Sequence, residues 1–206
     1  LGGAMIFYFT ALAVIFAATS RLDIAAAGML MACIAGLVGY KQFNHVKVRI
    51  KAWLNPWEDV PGKGYQIVQS LFAIAEGGFF GTGLGLGHPD YIPAVTTDFI
   101  FSAFFEEFGF LGASALIVVY LLLIYRGIRI ALSINNGFLS LAALGITTFF
   151  GIQIFTIIGG VIKLIPMTGV TLPFMSYGGS SMVMSFVSIG ILNGIKIRAS
   201  SGESNG

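Results

Sequence analysis

The chain has 206 residues, of which 56% are hydrophobic and only 10% charged, and its mean hydropathy is +0.90. Soluble domains carry about 25% charge, so the composition excludes a soluble globular protein and places the chain in the membrane class. A formal net charge of +2 gives no ground for nucleic-acid binding, and a single cysteine, Cys33, excludes an internal disulfide framework.

Five apolar runs approach the ~20 residues needed to cross a bilayer. They cover residues 4–20, 24–40, 99–125, 138–162 and 175–195. The chain opens at Leu1 without the basic region or cleavage pattern of a signal peptide, which reads as a fragment of a larger membrane protein. Arg21-Leu22-Asp23 makes a tight turn between the first two spans. With five spans, Arg21, Arg126, Arg129, Lys196 and Arg198 fall on one side and Lys41, Lys47, Arg49, Lys51, Lys63 and Lys163 on the other. That near balance gives no orientation from the positive-inside rule.

The loop over 41–97 is too rich in landmarks to be a linker. Lys47-Val48-Arg49-Ile50-Lys51 alternates charge with aliphatic residues. An extended backbone would place all three cations on one face, suited either to a phosphate-bearing headgroup or to a snorkelling interface patch. Asn55-Pro56-Trp57 and Pro61-Gly62-Lys63-Gly64 mark turns. Tyr65 to Glu76 reads as an amphipathic helix ended by Gly77-Gly78. The glycines at 81, 83, 85 and 87 lack the βαβ context of a dinucleotide loop. His45 and His88 are too isolated to form a metal site by themselves.

Asp98 stands at the mouth of the third span. It reads either as the N-cap of that helix or as a half-desolvated carboxylate with raised proton affinity, suited to a general base. Glu106 and Glu107 follow inside the same apolar run, where a carboxylate is a functional-site hypothesis by default, with Lys163 as a candidate partner. Beyond the fourth span, the stretch from Pro166 to Ser181 holds Pro166, Gly169, Pro173, Gly178 and Gly179. A helix cannot run through it, so it must pack inside protein or line a polar cavity. Residues 199–206 form a Ser/Gly-rich tail expected to be disordered. The fold class is therefore an all-α integral membrane protein, a polytopic helix bundle in a single membrane domain with about five spans.

Four blocks in order carry a resemblance to the SEDS family (shape, elongation, division and sporulation; FtsW/RodA/SpoVE). They are Asn55-Pro56-Trp57-Glu58-Asp59; Gly64-Tyr65-Gln66 with Gln69-Ser70; Thr97-Asp98-Phe99-Ile100-Phe101 with Glu106-Glu107-Phe108-Gly109; and Pro166 to Ser181. Family members have roughly twice as many spans, so the resemblance implies a C-terminal half in the bacterial cytoplasmic membrane with the loop over 41–97 outside the cytoplasm. It implies a peptidoglycan glycosyltransferase that polymerises lipid II beside a class B penicillin-binding protein, with Asp98 at the position of the family's essential acidic residue. Pro93-Ala94-Val95-Thr96-Thr97-Asp98 lacks the Glu and His usual in the family, Ile157 replaces a common Asn, and Lys163 stands where a small residue is usual. These departures are similar to a RodA-like branch and leave elongation, division and sporulation as alternatives.

On this reading Asp98 is the base. Lys47, Arg49, Lys51 and Lys63 are candidates for the substrate diphosphate, alone or with a divalent cation such as Mg. Ser176, Gly178, Gly179 and Ser180 are candidates for substrate hydrogen bonds and close backbone approach. Glu106, Glu107, Lys163, Pro166, Gly169 and Pro173 support the site, and no residue is assigned to a metal. Two other classes remain: a flippase for a lipid-linked precursor, favouring Glu106, Glu107 and Lys163 at depth, and a non-catalytic scaffold for a penicillin-binding protein.

Overall fold

A computed structural model describes residues 2–60, 62 and 64–203. The described residues form α1 (Gly2–Thr19), α2 (Leu22–Gln42), α3 (Asn44–Leu54), α4 (Tyr65–Gly77), α5 (Ile100–Leu132), α6 (Gly137–Val161) and α7 (Gly179–Glu203), with 3-10 turns at Pro56–Asp59 and Pro89–Tyr91. No strand occurs among them. Helices α1, α2, α5, α6 and the 179–199 part of α7 are long and apolar enough to cross a membrane. Each of the five expected apolar runs falls on one of these long helices. Helix α7 continues into the segment expected to be disordered, and residues 204–206 lie outside the described residues.

Helices α4, α5 and α6 and the stretch after α6 meet in one apolar core built on Phe99, Phe101, Tyr120, Phe150, Ile154, Ile157 and Leu172. A second cluster of Ala131, Ala143, Leu192 and Ile195 joins α5, α6 and α7 at the other end of the bundle. Small residues let these helices approach closely, as membrane bundles require. Asn136 caps α6 by accepting a hydrogen bond from Leu139 N–H at 3.1 Å.

Two differences from the sequence reading bear on the site. The run from Lys47 to Lys51 is not extended but lies within α3. On a helix, Lys47 and Lys51 are one turn apart, while Arg49 projects from nearly the opposite side. The second difference is a break inside α5. Gly109 takes φ 67 and ψ −169, and the helix divides there. Residues 110–132 alone are about 34 Å long at the α-helical rise, enough for the ~30 Å hydrocarbon core. Glu106 and Glu107 therefore lie on the short segment before this break, apart from the 110–132 helix.

The glycine-rich segment after α4 plugs this break. Thr82 and Gly83 N–H donate to the carbonyls of Glu106 (2.9 Å) and Glu107 (3.1 Å), and Phe110 and Leu111 N–H donate to those of Gly78 (2.9 Å) and Phe79 (3.2 Å). A Cβ on Gly81 would collide with the Glu107 carbonyl, and one on Gly109 with Gly81 N, so only glycine permits this contact.

Candidate functional site

Asp98 lies just before α5, but it is not the N-cap. That position falls to Phe99, whose side chain makes no capping bond. The Asp98 backbone N–H donates to Ala94 O at 3.0 Å. Its half-buried carboxylate faces a cleft of about 290 Å³, whose other polar side chains are Arg49 and His45 from α3 and Gln66 from α4. Met167 and Gly169 close one wall. Burial pushes the Asp98 carboxyl above its ordinary value, against weaker downward pulls from the Thr97 hydroxyl and the Arg49 charge.

Arg49 is fixed by a 3.3 Å hydrogen bond to Met167 O. Gly169, at φ 71, stands between it and Asp98. A Cβ there would lie 3.4 Å from Asp98 Oδ2 and 3.6 Å from an Arg49 terminal nitrogen. Cation and carboxylate thus flank one narrow gap without forming an ion pair. Among the described residues the only ion pair is Arg21–Asp23.

The stretch from Pro166 to Ser181 folds back into the bundle, and named side chains take up its backbone groups. Gln153 Nε2 donates to Thr171 O (2.7 Å) and Tyr120 Oη to Pro173 O (2.7 Å). Ser176 Oγ accepts from Leu172 N–H (2.7 Å) and donates to Thr97 O (2.6 Å), while Tyr177 N–H donates to Thr96 O (2.7 Å). The break is therefore hydrogen-bonded inside protein, as lipid demands, and its C-terminal part is bonded to the residues immediately preceding Asp98.

The other sequence-selected residues fall in several places. Lys51 lines a neighbouring cleft of about 400 Å³ with Asn55, Glu58 and Gly64, separated from the Asp98 cleft by the shared wall of Val48 and Ala52. Lys47 lines neither cleft. Lys63 lies outside the described residues. Ser176 is 2% exposed with its hydroxyl engaged at both ends, which makes it a structural tie near Asp98 and not a free donor. Gly178 and Gly179 lead into α7. Ser180 opens onto a separate cleft lined by Phe7, Phe149 and Ser188. Pro166 lines an apolar groove of about 410 Å³ that shares His45, Arg49 and Met167 with the Asp98 cleft. Pro173 is fully buried.

Lys163 is not the partner of Glu106 or Glu107. Its Nζ donates to Leu54 O at 3.4 Å and its carbonyl accepts Trp53 Nε1 at 3.0 Å, tying the end of α6 to α3. The two glutamates hold the glycine segment instead. Glu106 Oε1 accepts from His88 N–H at 2.7 Å and Glu107 Oε1 from Gly85 N–H at 3.0 Å. No three of His, Cys, Asp and Glu come together to hold a metal among the described residues. Gln66 and His45 are the cleft residues that motif reasoning did not assign to the site. Gln66 was visible as a polar position of the 65–76 helix and as a member of the Gly64-Tyr65-Gln66 block.

Five long apolar helices, with an internally bonded broken stretch between α6 and α7, define a multi-pass α-helical membrane protein. The family model for FtsW/RodA/SpoVE, described as cell cycle protein, matches residues 1–201, and the chain belongs to that family. It is 45% identical over 192 residues to the peptidoglycan glycosyltransferase RodA of Mycobacterium tuberculosis (strain ATCC 25618 / H37Rv), covering 93% of this chain and 41% of the relative. It is 44% identical over 162 residues to the stage V sporulation protein E of Bacillus subtilis (strain 168), covering 77% of this chain and 44% of the relative. With the probable peptidoglycan glycosyltransferase FtsW of Geobacter sp. (strain M18) the identity is 38% over 202 residues, covering 96% and 54%. A solved chain from work on structural coordination of polymerization and crosslinking by a peptidoglycan synthase complex superposes with a TM-score of 0.76 at 27% identity, covering 97% of this chain and 56% of that one. The chain thus spans about half the length of the relatives it matches.

Proposed function

We propose that this chain is part of a peptidoglycan glycosyltransferase that polymerises lipid II, with Asp98 as the general base, acting at the outer face of the bacterial cytoplasmic membrane beside a class B penicillin-binding protein. The observation that carries the reading is the Asp98 cleft. Its single carboxylate is half-buried and raised in proton affinity, and it faces a fixed guanidinium across the gap at Gly169.

In the reaction, Asp98 takes the proton of the acceptor sugar's 4-hydroxyl as that oxygen attacks the anomeric carbon of the donor. The bond from that carbon to the undecaprenyl diphosphate oxygen breaks, and the diphosphate leaves with the electron pair. Arg49 stands where developing negative charge on the leaving group needs a cation. Lys51 lies across the Val48–Ala52 wall and supports the phosphates from the adjoining cleft. The groove past Pro166, lined by Met5, Val46, Ile50 and Ile165, offers apolar surface to the polyprenyl chain.

The flippase reading loses its main support because Glu106, Glu107 and Lys163 form no cluster. The test uses the intact protein with its partner in proteoliposomes supplied with lipid II, reading both glycan product and lipid II movement across the bilayer. The proposal expects glycan product that disappears in Asp98→Asn. Lipid II movement without any glycan product from the unmodified protein would overturn it.

A further inference from the structure

Of the polar side chains that line the Asp98 cleft, the reaction above uses Asp98 and Arg49 and leaves His45 and Gln66 without a part. Arg49 and Asp98 supply the charged side. The polar contribution from α4 is Gln66, a neutral carboxamide. Its placement follows from one buried bond. Ser70 Oγ and Ser102 Oγ lie 2.6 Å apart between α4 and α5, and both serines are fully buried. Gln66 precedes Ser70 by one turn of α4, and Asp98 lies four residues before Ser102, just outside the start of α5. The two chains run the same way from that end, since Gly77 further along α4 meets Phe105 and Glu106 of α5. The serine pair therefore ties α4 to α5 close to the two residues, and both Gln66 and Asp98 line the cleft.

Next to Gln66, Ile67 and Val68 are buried, so its backbone is anchored while its side chain is exposed. The carboxamide has no hydrogen-bond partner among the described residues. A carboxamide presents two donors and an acceptor. It pairs with hydroxyl and acetamido groups and, being neutral, does not compete with Arg49 for phosphate. At about 290 Å³ the cleft is at the small end of ligand pockets and has room for a sugar ring.

We propose that Gln66 is the sugar-recognition residue of this site, hydrogen-bonding a hydroxyl or acetamido group of the N-acetylated sugar ring on which Asp98 acts. The inference rests on the glycosyltransferase reading, and its test is separable from that reading because it measures binding without turnover. The intact protein carrying Asp98→Asn is placed in nanodiscs, and its affinities for lipid II and for undecaprenyl diphosphate, which has no sugar, are compared with Gln66 present and with Gln66→Ala. Loss of one or two neutral hydrogen bonds predicts lipid II binding weakened roughly three- to tenfold, with undecaprenyl diphosphate binding unchanged. Gln66→Asn, which keeps the carboxamide but withdraws it, should fall between the two. Equal losses for both lipids, or no loss for either, would overturn the assignment. Persistent polymerisation by Asp98→Asn would instead sink the base assignment and leave the binding comparison intact.

Discussion

Ser176→Ala isolates the tie between the broken stretch and Asp98. The substitution removes one oxygen that serves two backbone groups, Leu172 N–H at 2.7 Å and Thr97 O at 2.6 Å. An unsatisfied buried group costs about 1–3 kcal/mol. Leu172 is 1% exposed and Ser176 2%, so water cannot replace the bond to Leu172, whereas half-buried Thr97 retains some access for its carbonyl. The expected loss is about 2–4 kcal/mol, divided between overall stability and freedom of the segment next to Asp98. In the intact protein, a lower Tm should accompany a fall of about tenfold or more in kcat for lipid II polymerisation, because misplacement of a base by ~1 Å costs that much or more. Ser176→Cys provides the control: it nearly conserves volume but bonds weakly, so it should be damaged similarly. Unchanged Tm and kcat in Ser176→Ala, or damage in Ser176→Ala with Ser176→Cys indistinguishable from Ser176, would refute the hydrogen-bond argument.

Gly169→Ala places a methyl group between Asp98 and Arg49 at a left-handed backbone position, a strain of roughly 1–2 kcal/mol; polymerisation should fall steeply while the protein remains folded by near-ultraviolet circular dichroism. Because burial raises the Asp98 carboxyl above 3.8, the folded protein holds that proton more tightly than the unfolded chain. The Asp98 contribution to stability therefore declines as pH rises from 3.8 through the raised value, while the ionised base, and with it polymerisation, increases over the same window. Asp98→Asn should accordingly raise Tm at pH 7 relative to the unmodified protein. Arg49→Gln removes a charge that pulls the Asp98 carboxyl downward, so the acidic limb of the pH–rate profile should move to higher pH. Tyr120→Phe deletes the bond to Pro173 O and should cost about 1 kcal/mol or somewhat more, with faster hydrogen exchange confined to the 170–176 segment.

Hydropathy made the bundle legible because the five spans are continuous apolar runs, and the 3.6-residue pattern of Ile67, Val68 and Leu71 made α4 legible within the loop. Helix α3 was not, because the alternation of Val48 and Ile50 with Lys47, Arg49 and Lys51 imitates a strand at period two. That error put Arg49 on the same face as the two lysines, and the helix separates them. The α5 break was hidden for a different reason. Gly109 in an apolar run reads as a packing residue, and only its contact with Gly81, distant in sequence, shows why φ must be positive there. The same non-local contact explains Glu106 and Glu107, whose partners are loop amides and not Lys163. The need for internal hydrogen bonding along Pro166–Ser181 was readable from its prolines and glycines, but nothing local told that Ser176 turns toward Thr97 while Ser180 opens onto another cleft. Asp98 itself was legible twice, by position and by motif, though its N-cap alternative could be excluded only from the backbone at Phe99.

Asp98 acting as a base is tested most directly by the single-turnover rate of glycan bond formation by the intact protein and by Asp98→Asn, each saturated with lipid II. General-base catalysis contributes about 10²–10⁴-fold, so the rate should fall by that much with lipid II affinity preserved. A rate within a few-fold of the unmodified protein would contradict it.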